Sequence, residues 1–201
     1  EKAIIPFVMH LPIFGLIPLR WVAKLKKPSL VVANGQWLAI KRSAYFQVGG
    51  HQAVQFSLLE DMDLGRRLVR AGFKLLPVLA TKDLQVRMYD SWKSMEEGFT
   101  KNLYLLAGGK NIPVTMVFGI SFWIYLGPLI LALTQSPRAG LALCLLVIFR
   151  AIAALSFRVS PGTVFLHPIG ALGFLLLLLR SFRAYAKNQI VWRGREVQSA
   201  N

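Results

Sequence analysis

The spacing of apolar and polar positions divides the chain into two unlike parts. Up to about residue 111 the apolar runs are short and broken by Gly, Pro and most of the charge. Beyond it they become long and nearly charge-free. Residues 115–134, TMVFGISFWIYLGPLILALT, form 20 positions without a charge, the length of a helix that crosses a hydrocarbon core of about 30 Å. Residues 139–157 form a second run, but Arg150 interrupts it, which requires tilting, an interfacial position or a partner for the charge. Residues 164–179 form a shorter third run ending in five leucines, with Arg180 and Arg183 placed to snorkel at its end. Three such helices are expected to insert into a membrane, because a chain of 201 residues cannot supply a soluble shell around them.

In the first part, residues 4–22 are apolar but carry Pro6, Pro12 and Pro18. Each proline removes a backbone bond, so a bent interfacial segment is expected, with Arg20, Trp21, Lys24, Lys26 and Lys27 at head groups; a kinked spanning helix is the alternative. Residues 29–40, SLVVANGQWLAI, predict two short strands around an Asn34-Gly35 turn. Residues 41–50 predict a short helix opened by Ser43 and closed by Gly49-Gly50. Helical spacing returns over 60–71, with Gly72 as its stop, followed by a strand over 73–80 and an amphipathic helix over 91–106. The domain expectation is a membrane-associated segment at 1–27, a mixed α/β half-domain at 28–111, two or three spanning or re-entrant helices at 112–183, and a basic tail at 184–201.

Charge sharpens this division. Lys and Arg number 24 against 9 Asp and Glu, a formal net charge of +15. Beside long apolar runs, that excess points to the anionic cytoplasmic leaflet, and no nucleic-acid-binding module pattern is present. A single cysteine, Cys144, and three scattered histidines offer neither a disulfide framework nor ligand-type spacing. No cleavable leader pattern is present, and a start at Glu1 without an initiator Met is expected of a fragment or processed product.

A third of the acids fall in one place, LLEDMDLGRRL at 58–68. They admit three readings: a metal pair, a catalytic base, or the acidic first turn of a helix. Asp61-Met62-Asp63 matches Asp-x-Asp literally, yet in a helix two positions apart diverge by about 200°, which disfavours convergence on one cation. Asp63 is expected to serve Arg66 or Arg67 along the helix.

Three stretches in order, NGQWLAIKRSAYFQVGGH at 34–51, LLEDMDLGRRLVRAG at 58–72 and VRMYDSWKSMEEGFTKN at 86–102, resemble the C-terminal half of membrane-bound family 2 glycosyltransferases. The resemblance is to the bacterial branch around hopanoid-associated and carotenoid glycosyltransferases and, more distantly, ceramide glucosyltransferase. It covers about residues 28–111, weakly the apolar helices, and again the tail VWRGREV at 191–197. It implies an α/β GT-A-type half-domain on the acceptor side followed by an α-helical transmembrane region. It also implies an inverting transfer from a nucleotide-sugar donor to a lipid or isoprenoid-like acceptor, in an integral protein of the bacterial inner membrane with its catalytic part cytoplasmic.

By the same resemblance Asp61 is the general base and Glu60 a supporting or acceptor-contacting residue. Gly35 and Gln36 form a tight backbone element beside the acceptor. Arg87-Met88-Tyr89 stands where relatives carry Gln-x-x-Arg-Trp. Here Gln85 precedes Arg87 by two positions and Met88 replaces the Trp, so stacking falls to Tyr89 or Trp92. Arg87 would stabilise the leaving diphosphate or, alternatively, bind lipid phosphate. Lys101 and Asn102 would line the acceptor entrance or simply end a basic helix. The family's divalent cation, Mg2+ or Mn2+, is expected on residues outside this chain, as is the nucleotide-sugar site, and the 201-residue polypeptide alone is expected to be inactive. Three spans would place the tail opposite the basic first part, against the positive-inside tendency, whereas two spans with an interfacial or re-entrant Arg150 segment would keep both on one side.

Overall fold

The computed structural model describes residues 2–10, 23–78, 80–84, 86–192 and 195–197. The chain forms two compact units, one from Glu1–Pro12 with Arg87–Ser199 and one from Ile13–Val86. Much of the first expected segment, including Pro12, Pro18, Arg20 and Trp21, lies outside the described residues.

The smaller unit contains α1 (Arg42–Gln47) and α2 (Glu60–Arg70). α1 is capped at Lys41, without a side-chain hydrogen bond, two residues before the Ser43 expected to open it. Gly49 and Gly50 stop it at φ 83° and 54°, a region where only glycine is unstrained. Leu64 and Leu68, one turn apart on α2, bury against Ala44, Val48 and Val54. Gly65 lies between them because a Cβ there would stand 2.8 Å from Val31 Cγ1.

The α/β half-domain expected at 28–111 is not present. Pro28–Leu30 is a 3-10 turn, and residues 31–40 and 73–78 are irregular. Among the described residues the only strands are β1 (Ile190–Trp192) and β2 (Arg195–Val197), an antiparallel pair in the tail. The reason is the requirement for a partner: apolar β-formers such as Val31 find their burial against α2 rather than on a neighbouring strand. The Asn34-Gly35 turn does form, closed by Trp37 N–H donating to Asn34 O at 3.2 Å, but it joins no hairpin.

The larger unit is helical. α3 (Trp92–Leu106) opens on a capping box in which Ser91 and Ser94 satisfy each other's backbone N–H groups. It leads to α4 (Asn111–Ala132), α5 (Pro137–Ser156) and α6 (His167–Ala186). These three helices are long and apolar enough to cross a membrane. Their outward faces carry large apolar side chains, among them Trp123, Leu141, Leu155 and Ile169, the pattern of helices whose solvent is lipid. α6 is longer than its apolar run because its last two turns, from Arg180, pack on α3. Met95, Phe99 and Leu103 of α3 share a core with Leu175 and Leu178 of α6 and with Ile4 and Phe7.

Candidate functional site

Asp61 lies in the first turn of α2, half-buried. Its two oxygens have different backbone donors: Gly35 N–H to Oδ2 at 2.7 Å and Met62 N–H to Oδ1 at 2.7 Å. Ala33 N–H donates to Met62 Sδ at 3.4 Å beside it. The 34–37 turn is internally held as well, with Gln36 N–H donating to Asn34 Oδ1 at 3.1 Å and Asn34 Nδ2 to Gln36 Oε1 at 3.2 Å. Gly35, Gln36 and Asp61, assigned to one locus from sequence, are therefore brought together across 26 positions of chain. Glu60 is exposed at the start of the same helix.

Asp63 faces elsewhere. Ser57 Oγ donates to its Oδ2 at 2.6 Å and Arg66 Nη1 to its Oδ1 at 2.6 Å. Burial pushes its pKa up, but those two hydrogen bonds and the positive charges of Arg66 and Arg70 outweigh it and hold the carboxyl below the usual aspartate value. Asp61 and Asp63 thus have separate partners and do not converge as a cation pair would require. Among the described residues, no three His, Cys, Asp or Glu side chains gather as a metal site.

The remaining expected residues belong to the larger unit. Arg87 is exposed and, with Lys2, Tyr89, Asp90, Trp92 and Met95, lines an open cleft of about 360 Å³. Tyr89 packs edge-on against Phe99 at 5.3 Å, while Met88 supports the core. Tyr89 and Trp92 therefore both reach the cleft where Met88, the residue standing in for the motif's Trp, does not. On α3, Lys101 Nζ sits 4.7 Å from the Trp192 ring centre, tying the helix to β1. Asn102 Oδ1 is buried without a hydrogen-bond partner.

A second polar locus lies inside the apolar helices, around the Arg150 charge marked in the sequence, but its partners were not foreseen. Arg150 is 2% exposed, its Nη2 donates to Thr163 O at 3.3 Å, and its Cζ lies 4.8 Å from the Phe7 ring centre. His167 Nε2 donates to Tyr125 O at 2.8 Å, since a carbonyl can only accept. Arg150 Nε and His167 Nδ1 remain without partners. The visible signal was the charge at 150 in an apolar run; its partner Thr163 O is a backbone atom that no side-chain pattern advertises. Comparison of the chain with protein-family models, curated proteins and solved structures finds no match to any of them.

Proposed function

We propose that the chain is an integral membrane protein and the acceptor-side part of an inverting glycosyltransferase, with a lipid or isoprenoid-like acceptor and its working face at the cytoplasmic side of a bacterial inner membrane. The observation that carries this reading is the fixed Asp61 carboxylate, held by Gly35 and Met62 N–H groups beside a preformed turn. A base must present an ionised oxygen in a constant direction, and each Asp61 oxygen keeps a lone pair free of its single backbone donor. The start of α2 adds the favourable end of a helix dipole.

In this reading the acceptor hydroxyl gives its proton to Asp61 as its oxygen attacks the anomeric carbon. The bond from that carbon to the nucleotide's diphosphate breaks with inversion, and the diphosphate leaves with the electron pair. The nucleotide-sugar site and any divalent cation are assigned to residues outside this chain. The reading does not depend on a GT-A sheet. It rests on the site and on three helices suited to lipid.

A non-enzymatic polytopic membrane protein is the other reading, and the same bonds favour it: Asp61 fastens the 34–37 turn to α2 whatever else it does. Membranes carrying a full-length parent that includes both this chain and the nucleotide-sugar site assigned outside it, supplied with a panel of radiolabelled nucleotide sugars, distinguish the two. Lipid-extractable label from wild type that disappears in Asp61→Asn supports the enzyme. No label across the panel, or equal label from both proteins, overturns it.

A further inference from the structure

The larger unit fixes the relative direction of its apolar helices. At one end, Tyr104 on α3 donates to Asn111 Oδ1, the first residue of α4, at 3.1 Å and stacks on Tyr185, near the end of α6, at 4.4 Å between ring centres. Ser181 strengthens this junction: its hydroxyl donates to Thr100 O at 2.6 Å and accepts from Tyr104 N–H at 2.9 Å, bridging two groups of the α3 ladder. Arg180 pairs with Glu96. The end of α6 therefore lies beside the start of α4.

At the other end, His167, the first residue of α6, reaches Tyr125 O on α4. α4 and α6 are antiparallel. Tyr125 comes 14 residues after Asn111, about 21 Å along a helix rising 1.5 Å per residue, and α4 continues roughly 10 Å beyond it to Ala132. α6 thus begins short of the level at which α4 ends.

α5 starts at that far level, four residues after α4. The chain from Ala132 to His167 leaves from α4's far end and rejoins α6 on the same side, at the level of Tyr125, roughly 10 Å short of that end along α4. Irregular backbone at that depth requires internal partners, since lipid offers none. Arg150 supplies one, donating from α5 to Thr163 O in the returning connection.

We propose that α4 and α6 are the two net crossings and that α5 with residues 157–166 is a re-entrant element closed by Arg150. α3 and the β1–β2 tail then emerge on one face. This places Lys93, Lys101, Lys110, Arg183 and Lys187 on a single side, against Arg138 at the opposite turn and the exposed Arg158 in the returning connection, the asymmetry expected of a cytoplasmic face. It also accounts for the short apolar run of α6, because a helix that starts at depth needs fewer residues to leave the bilayer.

This inference rests on the membrane part of the proposed function and not on sugar transfer. The test starts from Cys144→Ser, which removes the one native thiol. Single cysteines are introduced as Lys93→Cys, Thr134→Cys, Ser160→Cys and Gln189→Cys, and a membrane-impermeant maleimide is applied to right-side-out and inverted vesicles. Lys93→Cys and Gln189→Cys are expected to label from the same face, Thr134→Cys from the other, and Ser160→Cys from neither until detergent is added. Labelling at 189 from the face opposite to 93, or at 160 from either face, overturns the re-entrant arrangement. Alkaline carbonate separates the failures: release of the protein from membranes removes the membrane reading itself, whereas retention with the wrong labelling pattern removes this topology alone.

Discussion

The acids at the start of α2 and the cation in α5 are both conspicuous against their surroundings, yet they meet opposite physical conditions. Asp61 and Asp63 stand half-buried with backbone N–H, hydroxyl and guanidinium donors close by. Arg150 is buried and rests on a carbonyl and an aromatic face, with no ion pair to an acid among the described residues. The difference teaches that an out-of-place charge is informative only with its partner: oriented donors fix the direction of a carboxylate at a helix start, whereas a buried cation on a carbonyl ties a helix to the irregular backbone beside it.

The sharpest way to break the buried half of this comparison is Gly170→Ala. A Cβ on α6 there would collide with Ala3 O and the Phe7 ring, displacing the segment on which Arg150 rests. A loss of about 3 kcal/mol is expected, the upper end of overpacking costs, read as a lowered Tm in detergent; an unchanged Tm would show that residues 3–7 are not seated there.

Arg150→Ala follows, at about 2 kcal/mol. It loses a charge-assisted hydrogen bond and a desolvated cation–π contact, partly offset by relief of the buried charge. Its melting curve should fall below that of wild type while membrane retention persists.

The smallest effect on stability belongs to the half-buried Asp63. Asp63→Asn is expected to cost about 0.5 kcal/mol, the scale of a solvent-screened pair. Because the folded carboxyl titrates below its unfolded value, its contribution is complete above the ordinary aspartate pKa of about 3.9 and is lost as pH falls through the lowered folded value. The Tm gap between wild type and Asp63→Asn should therefore hold from pH 7 to pH 5 and close below pH 4. A gap that widened on acidification would contradict the donor set at Asp63.

Local signals carried most of what sequence could tell. The α2 boundaries follow from an acidic first turn and Gly72, and α3 from Ser91, because caps and stops act within a few residues. The long runs located α4, α5 and α6 because bilayer thickness sets their length. Strands failed for the complementary reason: 29–40 and 73–80 have β-forming composition, but pairing is decided by distant chain, and Val31 is buried on α2 instead. Motif order set Asp61 beside the 34–36 turn, and the hydrogen bond from Gly35 N–H joins the two in space. Ser181, with neither charge nor motif to mark it, gave no hint of the α3–α6 junction.

The proposed role of Asp61 is tested most directly by setting Asp61→Asn beside Asp63→Asn in the complete, membrane-embedded polypeptide. Transfer of labelled sugar to the lipid fraction is the readout, with Tm measured on the same preparations. The account predicts that Asp61→Asn lowers turnover by roughly 10²–10⁴-fold, the range of general-base catalysis, while Asp63→Asn leaves it within about twofold. Equal losses tracking Tm in both variants would contradict the division, leaving Asp61 as a fastening for the 34–37 turn and not a base.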